Sequence, residues 1–107
     1  MAEHNVIIAE RIRARVDAEL PLLPTPLRNW VSAHLTTPRQ ITASLDLEGS
    51  QLVGLWLVTD HTGVEDSSSR LVYDLDVDAF GIVIDLQGGV AWFQGADDSL
   101  FDAVENM

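Results

Sequence analysis

The sequence predicts one α+β domain spanning residues 1–107: two N-terminal helices, an antiparallel four- to five-stranded meander sheet, and a short C-terminal helix packed on the sheet. Three observations predict it. The apolar period is helical up to residue 38, it changes to two from Gln40 onward, and an Asp97-Asp98-Ser99 capping cluster precedes a last helical run. The expected organisation is a helical part at 1–38 with a proline elbow at 21–26, a β-meander at 40–94, and a terminal helix at 97–107.

Ile8, Ile12, Val16 and Leu20 recur every four positions and make one stripe of a first helix, which Asn5 can cap and Pro21 stops. At 100° per residue Arg13 and Arg15 border that stripe, so they can reach whatever it packs on. Pro21, Pro24 and Pro26 force an extended elbow, because residues before proline avoid the helical region. Thr25 is expected to cap a second helix with Pro26 at its first position, and Leu27, Trp30, Val31, His34 and Leu35 share its buried face. Thr36, Thr37 and Pro38 are read as its end.

Beyond Gln40, Ile41, Ala43, Leu45 and Leu47 alternate with polar residues up to Gly49, as a half-buried strand does. Leu52 to Val58 is apolar at both parities and reads as the central strand, covered on both faces. A polar loop, Asp60 to Ser69, precedes an alternating run from Leu71 to Val77 and another from Phe80 to Leu86. Gln87, Gly88 and Gly89 supply a turn into a fifth strand, Val90 to Phe93. The final helix carries Leu100, Ala103, Val104 and Met107; it is too short to persist alone and must dock on the sheet.

Composition excludes several chemistries. With no cysteine there is no disulfide, thiolate zinc site, iron–sulfur cluster or cysteine nucleophile. All six basic residues are arginine, which removes lysine Schiff bases and the P-loop lysine. No apolar run approaches the roughly 18 residues of a membrane span, and the first twenty residues lack the uninterrupted apolar core of a signal peptide, so a cytoplasmic location away from membranes is expected. The formal net charge is −11. Residues 1–40 hold five arginines against four acids, for +1; residues 41–107 hold Arg70 against thirteen acids, for −12. Such a field repels phosphate backbones, so direct nucleic-acid binding is not expected, and it attracts basic partners.

Asp74, Asp76 and Asp78 lie at alternate positions with Asp85 further on. A calcium loop needs glycine at its sixth position, where this chain has Ala79, so no metal is assigned. Read as strand residues, Asp74 and Asp76 project to one face, which Asp46 and Asp85 can join in a simple meander. The loop contains His61 and three serines, but none sits on a nucleophile elbow beside a base. No catalytic set and no cofactor site emerges.

The expected function is a non-enzymatic module that engages a basic protein, such as a toxin or a nucleic-acid-binding protein, as an inhibitor or immunity protein does. Its expected contact residues are Asp46, Asp60, Glu65, Asp66, Asp74, Asp76 and Asp85. The alternatives are a structural domain acting as a homodimer, with the acids serving solubility, and a small ligand-binding domain with a pocket between the second helix and the sheet lined by Trp30, His34 or Tyr73.

Overall fold

A computed structural model describes residues 2–60, 69–86 and 90–105. Helix α1 (Ala2–Glu19) leads through a 3-10 turn (Leu20–Leu22) to α2 (Thr25–His34), then to strands β1 (Leu35–Ser44), β2 (Leu52–Thr59), β3 (Ser69–Asp74), β4 (Ala79–Asp85) and β5 (Ala91–Asp97), and finally to α3 (Leu100–Glu105).

The sheet corrects the expected fold class. It is a closed, mixed five-stranded barrel in the order β1-β2-β3-β4-β5, not an open antiparallel meander behind a pair of N-terminal helices. Each consecutive pair is antiparallel, while β1 and β5 meet in parallel at Ser44 and Trp92. The parallel seam follows from strand number, since the first and last strands of an odd meander run the same way and closure must join them in parallel. Closure also needs local bending, which register shifts supply between Leu35 and Arg39 and between Gly81 and Val83. At the second shift Gly81 lies so close to β5 that a Cβ would sit 2.5 Å from the Gly95 carbonyl oxygen, and Gly95 itself has φ +110°.

The N-terminal part is one long helix, α1, packed on β1. The ten-residue α2 is a lead-in that passes into β1 without a connector. Leu35 to Pro38, read as the end of a helix, are strand: the β-branched Thr36 and Thr37 favour it, and Pro38 is tolerated where the register is already interrupted. The α2 cap also differs, because Thr25 is already helical and its hydroxyl accepts from Arg28 at 3.2 Å.

Alternation along the strands builds two cores. One face carries Ala43, Leu55, Leu57, Val72, Val83 and Phe93, drawn from all five strands, and fills the barrel. The other carries Trp56, Val58, Leu71, Tyr73 and Phe80, over which α1 lays Ile8, Ile12 and Val16 and α3 lays Leu100, Ala103 and Val104. The short α3 is held at its start by two acceptors: Ser99 Oγ receives the Asp102 amide at 3.1 Å and Glu19 Oε1 receives the Leu100 amide at 2.9 Å. No helix among the described residues is long and apolar enough to cross a membrane.

Candidate functional site

Two turns lie at one end of the barrel, as alternate connections of a meander must. The β1–β2 turn spans residues 45–51 and the β3–β4 turn Leu75–Asp78. Continuing the β2–β3 register, Trp56 opposite Tyr73 and Leu57 opposite Val72, brings the second turn level with the first residues of β2, beside the first turn.

Each turn is fixed by its own aspartate. The Asp46 carboxylate accepts from the Ser44 hydroxyl at 2.7 Å, the Ser50 amide at 2.8 Å and the Ser50 hydroxyl. Hydrogen bonds from Ser50 first, then Ser44, hold this carboxyl far below the usual carboxylate range. Asp78 has φ +53°, a left-handed conformation that aspartate tolerates better than most residues. Its carboxylate accepts from the Tyr73 hydroxyl and from Arg15, whose guanidinium also donates to the Asp78 carbonyl at 2.7 Å. The Tyr73 hydrogen bond, followed by the Arg15 charge, lowers the Asp78 pKa. Burial and the same hydrogen bond raise that of Tyr73. Arg15 lies 5.2 Å from the Phe80 ring centroid and 5.8 Å from that of Tyr73, and its Nε donates to Glu19 at 2.9 Å. Burial pushes the Arg15 pKa down, but Glu19 and Asp78 outweigh it and the net shift is upward. This network ties the β3–β4 turn to α1 and, through Glu19, to α3.

The fixed turns carry an unusual surface. Among the described residues the exposed large apolar side chains are Val6, Ile7, Leu22, Leu45, Leu47, Leu52, Leu75 and Val77. Five of these eight, from Leu45 onward, lie on or beside the two turns, interleaved with Asp46, Glu48, Asp74 and Asp76. None of those four acids pairs with an arginine among the described residues. Asp74 instead accepts the Asp76 amide at 3.1 Å. The rim therefore offers leucine and valine side chains in a negative field, on a backbone already in its final shape.

The sequence-derived residues divide accordingly. Asp46, Asp74 and Asp76 fall on this end. Asp74 and Asp76 do not share a strand face as expected, since β3 stops at Asp74 and Asp76 is in the turn. Asp85 is at the opposite end of the β3–β4 hairpin, 2.6 Å from Arg70, whose Nε is buried without a hydrogen-bond partner. Asp60 follows the far end of β2 and lies 3.3 Å from Arg39. Glu65 and Asp66 lie outside the described residues, as do His61 and the loop serines at 67 and 68. No continuous acidic sheet face forms among the described residues. The residues named for a pocket under the second helix make contacts of their own. His34 Nδ1 lies 2.8 Å from the Trp30 carbonyl oxygen with the rings stacked 4.5 Å apart, and Tyr73 is occupied by Asp78. Among the described residues no three metal-binding side chains gather.

Sequence reasoning gives Asp78 no role and misses all five rim hydrophobics. The signal for them is apolar residues continuing beyond both strand ends into turns that otherwise call for polar residues. Comparison with protein-family models, curated proteins and solved structures gives no match.

Proposed function

We propose that this chain is a non-enzymatic protein-binding module that engages a basic partner through the β1–β2 and β3–β4 turns. The observation that carries the reading is the concentration of five exposed leucine and valine side chains among four carboxylates that meet no arginine among the described residues, at one end of the barrel. Burying the exposed parts of two such leucines supplies roughly 2–4 kcal/mol before the cost of association. That alone gives only weak binding. The carboxylates add steering and select a partner whose apolar contacts are flanked by lysine or arginine. Because Asp46 and Asp78 hold both turns, little ordering entropy is lost on binding. A cysteine-free chain suits a cytoplasmic setting.

The test is capture of proteins from lysate by the immobilised chain and by the Leu47→Ser/Leu52→Ser variant, at low and high salt. Basic proteins retained by the wild type at low salt, and lost with the variant or with salt, are expected. Capture that ignores both the substitutions and the salt refutes the reading.

A further inference from the structure

Two arginines of α1 meet an acid four residues further on. Arg13 meets Asp17 at 3.4 Å in a pair exposed on both sides, of the kind that contributes little. Arg15 and Glu19 are better sheltered, with side chains 28% and 18% exposed, and each end of that pair reaches another element. The Arg15 guanidinium donates to the carbonyl oxygen and the carboxylate of Asp78 in the β3–β4 turn. Glu19 accepts Arg15 Nε on Oε2 and the Leu100 amide of α3 on Oε1, both at 2.9 Å. One carboxylate thus orients the start of α3, one guanidinium orients that carboxylate, and the turn orients the guanidinium. The helix at the far end has a second state within reach. At six residues it is marginal alone, and it is kept in place by Leu100, Ala103 and Val104 in the outer core and by the two acceptors at its start. Short terminal helices of this kind open locally while the rest of the fold stays intact.

We infer that Arg15 couples the β3–β4 turn to α3, so that the turn closed on Asp78 and the docked helix favour each other and displacement of the turn loosens the helix. The direction follows from the geometry. Without Asp78, Arg15 keeps Glu19 and the rings of Tyr73 and Phe80 but gains freedom to swing into solvent. Glu19 then loses the donor that fixes one oxygen while the other receives Leu100. Coupling is a free energy shared by the two elements and acts both ways. A ligand that draws the turn off Arg15 therefore frees α3, and one that captures the apolar face of α3 frees the turn. A rival route exists along the sheet, since Phe80, two residues after Asp78, pairs with Asp97 just ahead of α3. The inference goes beyond the reading of the rim and holds whether or not a basic partner binds there.

Native-state hydrogen exchange tests it, read at the Leu100 amide, held by Glu19, and the Ala103 amide, held by the Ser99 carbonyl at 3.1 Å. The amides of β2 serve as the reference for opening of the whole fold. The variants are Asp78→Asn, Arg15→Met, the two together, and Asp17→Asn as the control that breaks an α1 ion pair of the same spacing. Asparagine tolerates the left-handed turn, and methionine keeps an apolar stem over Tyr73 and Phe80. Asp78→Asn and Arg15→Met are each expected to speed exchange at Leu100 and Ala103 about two- to tenfold beyond any change in β2. Asp17→Asn is expected to leave α3 as it is, and Asp78→Asn to add nothing once residue 15 is methionine. Exchange in α3 that Asp78→Asn leaves unchanged, that rises no more than in β2, or that Asp17→Asn raises equally overturns the inference. So do effects that multiply in the double variant, which would assign the coupling to the β4–β5 ladder instead of Arg15.

Discussion

The close approach of β5 to β4 places a definite demand on Gly81. A Cβ there would lie 2.5 Å from the Gly95 carbonyl oxygen and 2.6 Å from Phe93 Cε1. The first contact is with backbone, which cannot rotate away, and the second is with a ring that is itself packed in the barrel core. Gly81→Ala must therefore move β5 away from β4 or distort the register shift, an overpacking cost of about 1–3 kcal/mol. Gly54 provides an internal control, since it too is a strand glycine, on β2, and a Cβ added there would meet nothing within 4 Å. At that position alanine should stabilise by about 0.5–1 kcal/mol through the restricted unfolded chain. Urea unfolding followed by tryptophan fluorescence measures both. The two variants should fall on opposite sides of the wild type and differ from each other by roughly 1.5–4 kcal/mol. Equal effects, or a Gly81→Ala variant as stable as the wild type, would refute the tight β4–β5 approach.

Other expectations follow from the ion pairs and the rim. Asp85→Ala leaves the Arg70 guanidinium, largely buried and already short of a partner at Nε, without its carboxylate. Allowing for the partly exposed Asp85, the loss should be about 1–3 kcal/mol, and Arg70→Met with Asp85→Leu should cost less than Asp85→Ala alone, as chemical denaturation can check. Asp46 and Asp78 have depressed folded-state pKa values, so the stability they contribute is complete above the unfolded carboxylate value of about 4 and is lost as pH falls through their folded values. Thermal melts taken downward from about pH 6 across roughly three pH units should show Asp78→Asn losing less stability on acidification than the wild type; parallel curves would contradict this. Leu47→Ser and Leu52→Ser should leave stability within about 0.5 kcal/mol of the wild type, since both side chains are exposed.

Much of the interior is legible from periodicity. The stripe Ile8, Ile12 and Val16 is buried as spaced, and so are Leu100, Ala103 and Val104, because a 3.6-residue repeat leaves one face for the core. Of the run Leu52 to Val58, expected to be covered on both faces, Leu55 to Val58 are buried so, whereas Leu52 is exposed at the rim. Closure is a different matter. It depends on register shifts and on a bridge between Ser44 and Trp92, neither of which leaves a periodic trace. The rim is hidden for a related reason. Leu75 and Val77 keep the parity of Leu71 and Tyr73, so the period of two runs on through the turn, and only the left-handed Asp78 marks where the strand has ended. Helical geometry puts Arg15 at the border of its stripe, where the structure has it, yet its acceptor cannot be named without the turn that presents Asp78.

The barrel also explains where unneutralised charge can reside. Both faces of β2, β3 and β4 are taken by one core or the other, so acids are confined to turns, strand ends and helix surfaces. Three of these acids meet arginines: Asp60 with Arg39, Asp85 with Arg70, Asp78 with Arg15. Asp46, Glu48, Asp74 and Asp76 meet none among the described residues, and this separates two explanations of the acidity. If the carboxylates serve only solubility, any two are equivalent. If the rim binds a basic partner, position matters. Glu48→Gln/Asp76→Asn and Glu10→Gln/Asp60→Asn change the net charge equally, the first pair on the rim and the second on α1 and the far end of β2. Only the first should weaken capture of basic proteins and flatten its salt dependence, because screened charges act over about a Debye length, ~10 Å at 0.1 M salt, rather than across the molecule. Equal losses from both pairs would mean that the protein's overall field, and not the two turns, attracts the partner.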